Sequence, residues 1–209
     1  MGSGEINVHT VDSAEARESA SSLLQRRYDW RGYGSATLPD SHAPARCTLV
    51  ATSGTQVLGT LTVALDGMTA LNCETLFGPE VAALRSTAAR VCEFTRLAVE
   101  ADAARSPQVL SALFLAAYVV AHRAGGRDTL LIEVNPRHVG FYRRHFGAQR
   151  LAEVRHHPGV NAPAVLLSLA LSPLSELARL VEYDGRIAEA GFSGAPPAAG
   201  ARSAPEWRN

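Results

Sequence analysis

The stretch from Val109 to Arg123 constrains the fold more than any other part of the chain. Leu110, Leu113, Phe114, Ala117, Tyr118 and Val120 make it apolar on nearly every side, so a helix there must pack inside the protein. Gly125-Gly126 stops it. Strand-like runs flank it, Val91 to Val99 before and the short Thr129 to Val134 after. A buried helix between two strands is satisfied by a sheet that it covers.

The remaining segments extend that sheet. Ile6, Val8 and Val11 alternate as a first strand. Ser13 is a helix N-cap, and Ala16, Ala20, Leu23, Leu24 and Arg27 follow at helical steps up to Trp30. Residues 35–45 read as a loop. Cys47 to Thr52 and Val57 to Leu65 form a hairpin about Ser53-Gly54-Thr55-Gln56. A short helical stretch runs from about Pro79 to Arg90. Asn135-Pro136 opens another helix, with Asn as its cap, and Gly147 closes it. Strands at Arg150 to His156 and Ala164 to Leu171, joined by a loop through Pro158 to Pro163, complete an α/β fold with a mixed central sheet flanked by helices. Residues 1–172 form one domain on this reading. Ser175 to Ala190 is a further helix within a 173–192 extension, and the Ala/Pro/Gly-rich 193–209 is a disordered tail.

Composition excludes several functions. At 209 residues and 46% hydrophobic, the chain can bury one sizeable core. Twenty basic and twenty acidic residues cancel, which removes the positive field of a nucleic-acid binder. Cys47, Cys73 and Cys92 are odd in number and widely spaced, so neither a disulfide framework nor a zinc site is expected. Adjacent His156 and His157 point to opposite faces of a strand and make no metal site. No signal peptide or spanning helix is visible, and the chain reads as cytoplasmic.

Three constellations stand out. In Glu93-Phe-Thr-Arg96 the alternation of a strand puts the two charges on opposite faces, with Glu93, Thr95 and Leu97 on one and Phe94, Arg96 and Ala98 on the other. The pair fits a buried ion-pair network, or it fits chemistry. In the second case Glu93 accepts a proton from an attacking ammonium, directly or through water, and Arg96 anchors a carboxylate or phosphate. The run Glu133-Val-Asn-Pro-Arg-His-Val-Gly-Phe-Tyr142 ends a strand on a helix N-terminus, where α/β folds place ligands. Arg137 and His138 oppose the helix dipole there. Tyr142 fits either a core position or a cleft. Between Arg137 and His157, five arginines and four histidines face one acid, Glu153, which makes a basic patch suited to an acidic partner or to phosphate.

From Glu93 to Gly147 the chain resembles the second half of the GNAT acyltransferase fold. With Arg26-Arg-Tyr-Asp-Trp-Arg-Gly-Tyr33, Gly59-Thr-Leu-Thr62, Val91 to Val99, Glu133 to His138, Phe141-Tyr142 and Val160-Asn-Ala-Pro163, it resembles more narrowly the long-chain N-acyl amino acid synthase (FeeM-like) family over residues 15 to 170. That family is related to acyl-homoserine-lactone synthases. The resemblance implies transfer of a long-chain fatty acyl group from an acyl carrier protein thioester to the α-amine of an amino acid. The donor would be an acyl-phosphopantetheine or acyl-CoA, with no tightly bound cofactor. Asp102 to Gln108 holds no glycine where coenzyme A acetyltransferases wrap the pyrophosphate, which favours the carrier protein.

The resemblance further implies that Glu93 is the base, that Tyr142 protonates the leaving thiolate, and that backbone N–H groups at Leu97 to Val99 hold the oxyanion. Arg96 or Arg137 binds the acceptor carboxylate. Arg27, Trp30, Tyr33, Glu133, Asn135, His138, Phe141 and Asn161 complete the substrate-binding set. Rival readings are an acyl-homoserine-lactone synthase-like enzyme using S-adenosylmethionine, a coenzyme A-dependent N-acetyltransferase, and a degenerate domain that binds carrier protein or lipid without catalysis.

Overall fold

A computed structural model describes residues 5–11, 13–40, 43, 45–67, 69–101 and 107–171. The expected helix at 175–190, the tail, and most of the glycine-free segment at 102–108 lie outside the described residues. Eight strands form the sheet: β1 (Asn7–Thr10), β2 (Arg46–Ser53), β3 (Gln56–Leu65), β4 (Val91–Val99), β5 (Thr129–Val134), β6 (Gln149–Arg150), β7 (Arg155–His157) and β8 (Ala162–Ala170). Their order is β1-β2-β3-β4-β5-β8-β6, with β7 paired to β8. All pairings are antiparallel except β4 with β5. The mixed sheet expected from sequence is therefore present.

Helices α1 (Ala14–Trp30) and α2 (Glu74–Ser86) cover one face, and α3 (Pro107–Tyr118) and α4 (Val139–Phe146) cover the other. Ala20, Leu23 and Leu24 of α1 pack on Val50 and Ala98. Phe77 and Val81 of α2 pack on Val91, Leu131 and Leu166. Opposite them, Leu113, Phe114 and Ala117 of α3 join Leu49, Leu61, Val63, Phe94 and Ile132. The apolar helix is thus in the core. Its C-terminal end winds into a π-helical turn, Val119–Ala124.

Local chemistry accounts for most boundaries. The Ser13 side chain accepts a hydrogen bond from the Ala16 N–H and starts α1. Asn135 likewise accepts from Arg137 N–H at the head of a 3-10 turn, Pro136–His138, that leads into α4. Gly147 ends α4 with φ +66°, a left-handed conformation that glycine adopts without a Cβ penalty. Gly59 on β3 has a packing role: a Cβ there would lie 2.9 Å from Leu113 Cδ1 and 3.1 Å from Val109 Cγ1, so glycine lets α3 approach the sheet.

Two expectations are corrected. The helix placed at Pro79 to Arg90 begins earlier, at Glu74, and kinks at Phe77 (φ −122°, ψ 30°). Pro79 sits in the first turn after that kink, where its missing N–H costs nothing. The strand expected at Arg150 to His156 is two short pieces. Between them Arg150 Nε donates to Ala152 O, and Leu151 N–H keeps the chain tied to Leu166 O.

The feature that positions the site is an irregularity in β4. Thr62 pairs with Thr95 and Thr60 with Ala98, so β4 carries one extra residue against β3, a β-bulge. Arg96 sits at the bulge with φ +53°, a conformation disfavoured for a side-chain-bearing residue. Alternation reverses across it. Glu93 lies on the α1/α2 side and Phe94 on the α3 side, as expected. Beyond the bulge Ala98 packs against α1 and Val99 against α3. On its other edge β4 pairs with β5 only over Val91 to Glu93, opposite Thr129 to Leu131. The two strands then separate.

Candidate active site

The separation of β4 and β5 opens a cleft of about 860 Å³. One wall is apolar and aromatic, built by Phe94 of β4, Leu110 and Phe114 of α3, and Phe141, Tyr142 and Phe146 of α4. The Phe114 ring lies 6.0 Å from Phe94, 6.4 Å from Tyr142 and 5.4 Å from Phe146, centroid to centroid. The other wall is polar and cationic, with Arg27, Tyr28, Arg31 and Tyr33 from the end of α1 and its following turn, Arg96 from the bulge, and Glu133 from β5. From Thr95 to Val99, β4 has no β5 partner, so backbone groups on that edge face the cleft.

Glu133 is the carboxylate on this wall. Burial pushes its pKa up to about 7, and the nearby Glu93 adds to the rise. His157 Nε2 stands 3.7 Å from its Oε1. Burial pushes the Tyr142 hydroxyl up to about 12, so it holds its proton at neutral pH. The Arg96 Nε donates to Thr37 O at 2.6 Å, while its Nη1 is buried with no partner among the described residues. An orphaned buried guanidinium donor beside a cleft is a ready carboxylate anchor. His138 is held below its usual value by burial and by Arg31 and Arg137, which favours the neutral ring.

Glu93 is corrected. It is 1% exposed, does not line the cleft, and its two carboxyl oxygens accept the Asn72 and Cys73 backbone N–H groups at 2.7 and 3.0 Å. Burial raises its pKa, against the pull of those two bonds. This is a carboxyl that pins the segment leading into α2.

Other expected residues divide similarly. Arg27, Tyr33, Leu97, Val99, Asn135, His138 and Phe141 line the cleft with Arg96, Glu133 and Tyr142. Arg137 does not. It lies exposed at the rim, where its Nη2 donates to the Tyr33 hydroxyl at 3.2 Å and its Nε meets His138 Nε2 at 3.2 Å. Of the two carboxylate candidates, Arg96 is the one inside. Trp30 is 72% exposed and off the cleft, stacked by the Arg27 guanidinium at 4.9 Å and by Arg31 at 6.0 Å. Asn161 is exposed in the β7–β8 turn with φ +45°, a conformation its short side chain tolerates.

Sequence reasoning missed Tyr28, Arg31 and His157. Tyr28 and Arg31 share the last turn of α1 with Arg27, and their three- and four-residue spacing was the available signal. His157 gave no such signal, because only the pairing of β7 with β8 and of β8 with β5 brings it to Glu133. Among the described residues no group of three metal-ligating side chains exists, and no helix is long and apolar enough to cross a membrane.

Residues 19–170 match the family model described as N-acyl amino acid synthase FeeM. No curated protein matches the chain by sequence. Among solved structures, FeeM, an N-acyl amino acid synthase from uncultured soil microbes, is similar at TM-score 0.71 and 24% identity, covering 81% of this chain and 92% of that one. BjaI, a CoA-dependent acyl-homoserine lactone synthase, is similar at TM-score 0.59 and 15% identity over 87% and 90%. An aminoglycoside 6'-acetyltransferase type Ii is similar at TM-score 0.55 and 16% identity over 79% and 97%. At these identities the likeness shows a shared fold, the GNAT-type sheet with its flanking helices.

Proposed function

The chain belongs to the N-acyl amino acid synthase FeeM family of N-acyltransferases, and from that premise we propose that it moves a long-chain fatty acyl group from a carrier-protein thioester to the α-amine of an amino acid. The observation that carries this reading is the two-walled cleft between β4 and β5, aromatic on one side and cationic on the other, where Glu133 is the carboxyl among the described residues. The acyl chain packs against Leu110, Phe114 and Phe146. The amino acid enters past Tyr28 and Arg31, its carboxylate on Arg96.

An amino acid's ammonium group must lose a proton before it attacks, and Glu133 takes it, since Glu133 lines the cleft and Glu93 does not. The amine nitrogen then bonds to the thioester carbonyl. Backbone N–H groups on the free edge of β4 near Leu97 to Val99 hold the oxyanion. As the C–S bond breaks, the buried Tyr142 hydroxyl protonates the thiolate and is reprotonated by the proton that the acylated nitrogen sheds, while Glu133 gives up the proton it took first. The products are an N-acyl amino acid and a free thiol, with one proton released to water.

A carrier-protein donor is supported by the rim. Arg137, Arg143, Arg144 and His145 stand exposed around the α4 side of the cleft and suit an acidic partner. The glycine-free 102–108 sequence supports the same donor. The test is to give the purified protein a long-chain acyl carrier protein or the matching acyl-CoA, each with a mixture of amino acids, and to identify products by mass spectrometry. An N-acyl amino acid formed faster from the carrier protein bears out the reading. Faster product from acyl-CoA overturns the donor, and an N-acyl product only from S-adenosylmethionine overturns the acceptor.

A further inference from the structure

We propose that His157 is a positioning residue for the base, an imidazole held so that its Nε2–H is aimed at the Glu133 carboxylate. The proposal rests on the reading of Glu133 as proton acceptor and goes beyond it by assigning a second residue, from a separate hairpin.

The geometry decides the tautomer. In the turn after β7, Gly159 N–H and Val160 N–H both point at His157 Nδ1, at 3.1 and 3.3 Å. Backbone N–H groups only donate, so Nδ1 must be the bare nitrogen and Nε2 must carry the ring proton. Nε2 is also the atom that faces Glu133 Oε1, 3.7 Å away. That distance is longer than a hydrogen bond, and closing it requires a shift of well under 1 Å, the kind of tightening that occurs when substrate fills a site. A ring locked in this way does not relay protons, because the lone pair of its second nitrogen is held by the two backbone N–H groups and is not free to accept one. It donates to the anionic form of Glu133 and steers the free lone pairs of the carboxylate toward the cleft.

Other groups face Glu133 from each side. Glu93 of β4 raises its proton affinity. The Cys73 thiol before α2 and the Tyr28 hydroxyl of α1 are near enough to feel its charge. Both thiol and phenol are protonated at neutral pH, and Glu93 opposes ionisation. Among these neighbours, His157 is therefore the N–H donor directed at the carboxylate.

The hairpin that carries the imidazole is also tied to the acceptor wall. A Cβ at Gly34 would lie 2.8 Å from Gly159 O, so the turn after α1, which holds Tyr33, packs directly on the turn that sets His157. Filling of the acceptor wall can thereby reach the base through backbone contact.

The experiment compares the acid limb of the kcat/KM profile for the wild type, His157→Ala, His157→Gln and Glu133→Gln, with acyl carrier protein and the preferred amino acid. Loss of the donor raises the Glu133 pKa, so in His157→Ala the limb moves to higher pH by about one unit. His157→Gln, whose amide N–H can replace Nε2–H, returns the limb toward the wild-type position. A folded His157→Ala with an unmoved limb overturns the proposal, as does a Gln variant that behaves like Ala. If Glu133→Gln keeps both its rate and its limb, the base assignment falls and this proposal falls with it. A limb lost in Glu133→Gln but unmoved in His157→Ala overturns the proposal alone. Nitrogen-15 shifts of His157 in the wild-type protein at pH 8 give a reading that needs no variant. A protonated Nε2 with bare Nδ1 is expected, and the opposite tautomer overturns the assignment.

Discussion

With its pKa pushed up to about 7, Glu133 is divided between its two protonation states at neutral pH. Only the carboxylate accepts a proton, so kcat/KM should rise about tenfold per pH unit below 7 and level off above it. Glu133→Gln should lower kcat/KM by roughly 10² to 10⁴ and remove that limb, read from steady-state rates between pH 5 and 9. The same shift has a cost in stability. A folded pKa above the unfolded value near 4.5 means the favourable contribution is complete below about pH 4 and is lost as pH rises through 7. Glu133→Gln should accordingly melt higher than the wild type at pH 8 and not at pH 4. Glu93→Gln should do the reverse of what its sequence position suggested. It leaves an amide NH2 against the Asn72 or Cys73 N–H, which costs about 1–3 kcal/mol of stability, while the acid limb of the rate persists. Thermal melts and pH profiles of the one variant separate the two roles.

At the scale of elements, β4 and α3 carry the design. The bulge at Arg96 turns one guanidinium toward α1 and, with the short β4–β5 pairing, leaves a strand edge free for an oxyanion. Gly59 sets how closely α3 approaches that strand pair. Gly59→Ala should destabilise the fold by about 1–3 kcal/mol through overpacking against Leu113 and Val109, measured by urea unfolding. On the aromatic wall, Leu110→Trp should shift the products to shorter acyl chains, which mass spectrometry of a mixed-chain assay would show. Most element positions were legible because capping, periodicity and glycine stops are local effects. Ser13, Asn135 and Gly147 act where the sequence placed them. The bulge was not legible, since a strand's alternation is assumed until a partner strand forces an extra residue into the ladder.

For the whole molecule, the balanced total charge hides an asymmetry, with arginines and histidines gathered on α4 and at the cleft rim. If the donor arrives on an acidic carrier protein, kcat/KM for that donor should fall steeply between 50 and 500 mM salt, and Arg143→Glu should lower it further while weakening the salt dependence. The sequence by itself determined the order of strands and helices, the buried α3, the family, and the residue types the chemistry requires. These follow from hydrophobic period, turn chemistry and motif order, all of which are written along the chain. Only the tertiary structure decided which glutamate lines the cleft. Glu93 and Glu133 lie on neighbouring strands and face the same side of the sheet. Near the end where β4 and β5 still pair, the carboxyl of Glu93 is closed over by α2 and backbone N–H groups; two residues beyond the last paired position of β5, that of Glu133 opens on the cleft. Where two strands part is set by bulge and register together, and register is a property of the pair that neither strand's sequence contains.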